Sequence, residues 1–156
     1  MFPSSSLLSC SLLLAGLASF PALATQSSTA PPLPLLAQAA KGTALAKELQ
    51  GKPVVVDVYA SWCPACRNIA PTLSKLRQSY ANRVHFVVLD VSDKAKTEAS
   101  QATAKRLGLA SFFATNRTQT GLVAIIEPAT GKILSQQRNN ADVGTYTAVL
   151  NKALAQ

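Results

Sequence analysis

The chain of 156 residues suffices for one domain of ordinary size and hardly for two, and at 48% hydrophobic and 14% charged residues it should build a core rather than stay disordered. Its net charge of +8 comes from Lys and Arg spread singly from Lys41 onward. Nucleic-acid binding wants clustered basic residues with stacking aromatics, and the sequence has neither, so no nucleic-acid partner is expected.

The first forty residues carry no charged side chain. Within residues 1–24, "LLSCSLLLAGLASFPALA" is an apolar run that ends in small residues, and Ala22-Leu23-Ala24 fits a signal-peptidase site. No Lys or Arg precedes the run, and Pro21 interrupts it, which makes it marginal for a spanning helix. Two readings stay open, a cleaved export signal or an uncleaved membrane anchor. Too little apolar sequence precedes Cys10 for a lipoprotein site. Either way the folded part is expected to cross a membrane. Residues 25–35, "TQSSTAPPLPL", read as an extended linker.

A single domain is expected over residues 36–156. It opens with a helix over 35–49, and "PVVVDVYA" (53–60) follows as a nearly continuous apolar strand covered on both faces. Ile69, Leu73, Leu76 and Tyr80 recur at helical spacing. "RVHFVVLDV" (83–91) is a second buried strand, and residues 94–108 form an alanine-rich helix stopped by Gly108. "LASFFATNRTQT" reads as a long loop, in which Phe112 and Phe113 either form a docking patch or anchor the loop to the core. "GLVAIIE" and "KILSQQR" pair as a hairpin through residues 128–131, and Val143, Tyr146, Leu150 and Leu154 mark a last helix. A strand–helix–strand unit demands a parallel pair, to which the hairpin adds antiparallel strands. The fold class is α/β, a central mixed β-sheet flanked by helices on both faces.

Cys63 and Cys66 sit where the first strand gives way to a helix. There a thiol faces unpaired backbone N–H groups and the positive end of the helix dipole, which stabilise a thiolate, the nucleophilic form. The second cysteine lies three residues on, within reach of the first sulfur. Cys63 should therefore attack and Cys66 resolve. Pro64 costs nothing in a first helical turn. A disulfide closing so small a loop constrains the unfolded chain little, so a merely structural bridge is weakly motivated. Asp57, a lone carboxylate inside "VVVDV", should have a raised pKa and so exchange a proton near neutrality, unless it only caps or hydrogen-bonds locally.

"VVVDVYASWCPACRNIAPTL" resembles the active-site region of the thioredoxin superfamily, and the element order from residue 51 onward is similar to the thioredoxin fold. The leader together with "WCPAC" is most similar to exported or membrane-tethered reductases of the TlpA, cytochrome-c-maturation and thylakoid thioredoxin-like types. The resemblance implies a thiol–disulfide oxidoreductase that acts as a reductant on protein disulfides, in the periplasm or thylakoid lumen, without a cofactor. It implies Cys63, Cys66 and Asp57 as catalytic residues, with Asp57 the general acid/base of the buried cysteine, and a membrane thiol protein as electron donor. Trp62 becomes a lid beside Cys63, with simple packing as the alternative, and Pro71 is structural.

One departure stands out. The superfamily places a cis-proline opposite the cysteines, and here the equivalent position is Gly121, preceded by Thr120; a trans loop is expected at this glycine. Pro64, Trp62, Thr120 and Gly121 are the expected substrate-binding residues. Without the proline ring the cysteines could take metal, but His85 is the only histidine and reads as a core or edge residue, so no monomeric metal site is expected. The competing reading is a binding module that holds a protein partner or a metal through the cysteine pair with little turnover. Asn116-Arg117-Thr118 matches a glycosylation acceptor.

Overall fold

The computed structural model describes residues 43–156. The expected leader, its cleavage site and the linker lie outside the described residues.

Apolar β-branched residues give the central strand β1, Val54–Tyr59, whose first five residues are all buried. Helix α1 follows over Pro64–Ser79, then β2 over His85–Asp90 and α2 over Lys94–Arg106. A short helix α3 spans Ala110–Asn116, the hairpin is β3, Leu122–Glu127, with β4, Lys132–Arg138, and α4 covers Val143–Leu154. The sheet order is β2-β1-β3-β4, with β1 parallel to β2 and antiparallel to β3. A β-bulge shifts the β3–β4 register between Ile125 and Ile126. Among the described residues no helix is long and apolar enough to cross a membrane.

The period-two alternation of strand side chains divides the core in two. Val54, Val56, Val87, Leu89, Ala124 and Ile126 face Ala104, Leu107, Leu109 and Phe113, beneath α2 and α3. On the other face Val55, Val123 and Ile125 meet Ile69, Leu73 and Leu76 of α1 and Tyr146 and Leu150 of α4. By the same alternation Asp57 points to the α1/α4 face. Strand β1 thus buries both its faces, and its C-terminal end delivers the chain into α1.

Three expectations are corrected. The described part of the helix expected over 35–49 is only a 3-10 turn, Lys47–Leu49, held by Leu45 N–H donating to the Pro128 carbonyl at 2.8 Å. The segment read as a long loop contains α3, which buries Phe113 and packs half-buried Phe112 against the core, so neither forms a free docking patch. Asn116 is also buried, with its side chain bonded to the Phe112 carbonyl and to Gln136, so the acceptor triplet is closed in the folded chain. Helix α2 stops at Arg106 because Gly108 takes φ +77 and packs directly on the Leu45 backbone, where a Cβ would lie 3.1 Å from Leu45 Cα.

Candidate functional site

Cys63 is the N-cap of α1, with an extended backbone at φ −82 and ψ 118, and Pro64 occupies the first helical position. The chain turns tightly into it: Cys63 N–H donates to the Ala60 carbonyl at 3.1 Å. At a helix N-terminus the first N–H groups lack partners within the helix, and here the sulfur of Cys63 accepts one of them, Cys66 N–H, at 3.1 Å. Both cysteines are free thiols and both are buried, packed with Ala60 and against Tyr59, Ala65 and Val91. Cys66 Sγ faces the Val58 carbonyl at 3.9 Å.

The two thiols differ in acidity. Burial pushes Cys63 up, but hydrogen bonds from the Cys66 and Thr120 side chains and from the N–H groups of Cys66 and Ala65 outweigh it, and the thiol lies below its ordinary value. Cys66 is pushed up to about 11, first by burial, then by its hydrogen bond to Cys63, with the charges of Cys63 and Asp57 adding to the effect. The geometry thus favours the thiolate at Cys63 and the thiol at Cys66.

Asp57 is 5% exposed, and its Oδ1 has no hydrogen-bond partner. Burial pushes its carboxyl up to about 6, and the Arg77 guanidinium draws it partly back. The partnerless oxygen argues against a purely local capping role. Arg77 itself is exposed on α1 and stacks over Phe86, 5.6 Å from the ring centroid.

Around the pair, Trp62 is 59% exposed, which removes the packing alternative for this side chain. Thr120 is buried, and Gly121 closes against the first turn of α1. Gly121 N–H donates to the Val58 carbonyl at 2.8 Å and its own carbonyl accepts Asn139 N–H at 2.9 Å. Its φ is +78, and a Cβ there would meet Ala65 Cβ at 2.6 Å. No peptide bond among the described residues is cis. Trp62 and Pro64 thus flank Cys63 in the chain, and the Thr120–Gly121 turn meets the same first turn of α1 from a second segment. Arg67 is exposed on α1, and His85 is a half-buried residue at the start of the edge strand β2. Among the described residues no three His, Cys, Asp or Glu side chains gather as a metal-binding group.

A family model described as Thioredoxin matches residues 37–123, a stretch that contains Asp57, both cysteines and the Thr120–Gly121 turn. The chain belongs to the thioredoxin family. It is 52% identical over 48 residues to the chloroplastic thioredoxin-like protein HCF164 of Oryza sativa subsp. japonica, covering 31% of this chain and 18% of that one. It is 40% identical over 60 residues to a thiol:disulfide interchange protein TxlA homolog of Synechocystis sp., covering 38% of this chain and 33% of the relative. The match therefore spans a third or less of either relative's length. Among solved structures the thioredoxin of Fasciola hepatica aligns at 24% identity with a TM-score of 0.47, over 68% of this chain and 85% of that chain.

Two residues beside this thioredoxin pair escaped the sequence reading. Asp90 ends β2 and Ser92 lies in the turn after it; Ser92 reaches the segment that carries Trp62, and Asp90 Oδ1 accepts from Ser92. The signal was present in the sequence as Asp-x-Ser directly after a buried strand, a pattern suited to local hydrogen bonds from side chain to backbone.

Proposed function

We propose that the protein is a thiol–disulfide oxidoreductase that reduces disulfides of partner proteins outside the cytosol. The observation that carries the reading is the geometry of the pair: Cys63 caps α1 and its sulfur accepts Cys66 N–H at 3.1 Å, which draws its pKa down, while burial pushes the Cys66 thiol up to about 11. Cys63 thiolate attacks one sulfur of the partner disulfide, and the other partner sulfur leaves as a thiolate. Cys66 then gives its proton to the Asp57 carboxylate and attacks the Cys63 sulfur. The Cys63–partner bond breaks and the partner sulfur it held leaves as a thiolate; two electrons have moved to the partner, and a Cys63–Cys66 disulfide remains. Trp62, Pro64 and the Thr120–Gly121 turn form the rim against which a partner peptide docks. A thiol protein of the membrane returns the electrons.

A relative named a thiol:disulfide interchange protein supports this activity. Export rests on the uncharged apolar leader. The deciding experiment is insulin reduction by the full chain with dithiothreitol as electron source, beside Cys63→Ser. Turnover that vanishes in Cys63→Ser supports the enzyme; wild-type protein without turnover leaves the binding module standing. A reduction potential near −270 mV, as for thioredoxin, would support the reductant direction, whereas about −120 mV would mark an oxidant.

A further inference from the structure

Parallel pairing of β1 and β2 brings two turns side by side at the C-terminal end of the sheet. The pairing reaches Tyr59 and Asp90, and Val91 N–H then donates to the Tyr59 carbonyl at 2.8 Å. One turn, residues 60–63, leads into Cys63, and the other, residues 90–93, leads into α2. They are joined by hydrogen bonds centred on one serine. Ser61 N–H donates to Ser92 Oγ at 2.8 Å, and the Trp62 indole Nε1 donates to the Ser92 carbonyl at 3.0 Å. Ser92 is in turn fixed by Asp90, whose Oδ1 accepts both Ser92 N–H, at 2.8 Å, and the Ser92 hydroxyl. With its proton committed to Asp90, the Ser92 hydroxyl offers its lone pairs to Ser61 alone.

The second turn is itself held from behind. The Asp90 carbonyl accepts Ser100 Oγ at 2.8 Å, its Oδ2 lies 3.4 Å from Lys96 Nζ, and Asp93 caps α2 by accepting Lys96 N–H at 2.8 Å. Val91, between Asp90 and Ser92, packs against the cluster that contains both cysteines. Trp62 is 59% exposed, so little packing fixes the ring, and its indole N–H bond to Ser92 supplies the restraint.

We infer that Asp90 and Ser92 are positioning residues for the exchange reaction: Asp90 fixes Ser92, and Ser92 fixes Ser61 and Trp62 so that Cys63 keeps the N-cap place from which its sulfur attacks. Loss of the clamp frees the residues just ahead of Cys63, weakens the bond from Cys66 N–H to the sulfur, and lets the indole swing away from the rim. Burial pushes the Asp90 carboxyl up, but the bonds from Ser92 and the charge of Lys96 bring it below the usual carboxylate range, so the clamp stays ionised at neutral pH.

The inference rests on the oxidoreductase reading, and its test separates the two. In the full reduced chain, the pH dependence of Cys63 alkylation by iodoacetamide, mapped by mass, reads the sulfur directly and needs no turnover. Ser92→Ala and Asp90→Ala are expected to raise the midpoint by about half a pH unit or more, which is about a three-fold loss of thiolate below the midpoint. The indole N–H resonance of Trp62, the only tryptophan, is expected to shift in both. Ser92→Thr and Asp90→Asn keep the hydroxyl and the acceptor oxygen and should restore wild-type values. Ser92→Ala removes one atom from a surface turn and decides alone if Asp90→Ala does not fold. A folded Ser92→Ala with the wild-type midpoint and indole resonance would overturn the clamp, as would a Thr variant that fails to rescue. Wild-type protein inert toward insulin would sink the oxidoreductase reading and leave the titration result in place.

Discussion

The backbone N–H of Cys66 donates to the sulfur of Cys63 at 3.1 Å, so the second cysteine tunes the first through its amide as well as its thiol. Replacing Cys66 by Ala removes the side-chain donor and keeps the amide. The Cys63 midpoint should therefore rise in Cys66→Ala yet stay below that of an ordinary thiol, as followed by thiolate absorbance across pH. The same variant should accumulate a mixed disulfide with the partner, since nothing remains to resolve it. A midpoint identical to wild type would remove the Cys66 side chain from the account.

The burial that suits Asp57 to its proposed role as proton acceptor also has a cost in stability. Its folded-state pKa of about 6 lies above the model-peptide value of 3.8, so between those values the folded chain holds more protons than the unfolded chain. Stability from this group is therefore greatest at low pH and is lost as pH rises through about 6. The shift of about two units caps the cost at roughly 3 kcal/mol. Asp57→Ala should be more stable than wild type at pH 7.5, by about 1–3 kcal/mol, with the gain gone near pH 4, as read from urea denaturation at both pH values. The same change should slow insulin reduction, because Cys66 loses its proton acceptor.

Gly121 carries two separate requirements, a left-handed φ of +78 and room for Ala65 Cβ. Gly121→Ala is expected to cost about 1–3 kcal/mol in denaturation. Adding Ala65→Gly should return only the steric part, since the backbone strain remains. A double variant as stable as Ala65→Gly alone would mean that φ costs nothing here.

The proposed docking role of Trp62 can be separated from a role in the core, because the ring is largely exposed. Trp62→Ala should change stability by less than about 0.5 kcal/mol, because the ring is largely solvated. It should lower kcat/KM for insulin while leaving reduction of a small aromatic disulfide close to wild type. Equal losses on both substrates would assign the ring to the chemistry instead.

Much of this was legible in the sequence, and the exceptions have physical causes. "VVVDV" and "AIIE" declare buried strands because apolar β-branched runs have few other uses. Helix α3 was missed because seven residues rich in Phe, Thr and Asn have weak intrinsic propensity; Phe113 forms it by reaching the core. The lone aspartate signalled its own burial, whereas Arg77 did not signal that it would influence Asp57, because that proximity arises only when α1 lies across the sheet. The Ser92 contacts to residues 61 and 62 span about thirty positions and depend on strand register, which no local pattern encodes.

The Val58 carbonyl faces two donors, the Gly121 amide at 2.8 Å and the Cys66 thiol at 3.9 Å. Oxidation removes the hydrogen of the second and leaves the first intact. The hydrogen bond that seats the Thr120–Gly121 turn on β1 does not use the thiol hydrogen that oxidation takes away. The Thr120–Gly121 turn is therefore expected to keep its place on β1 in both redox states of the proposed exchange, so that a docking partner would meet the same ledge before and after the electrons are passed.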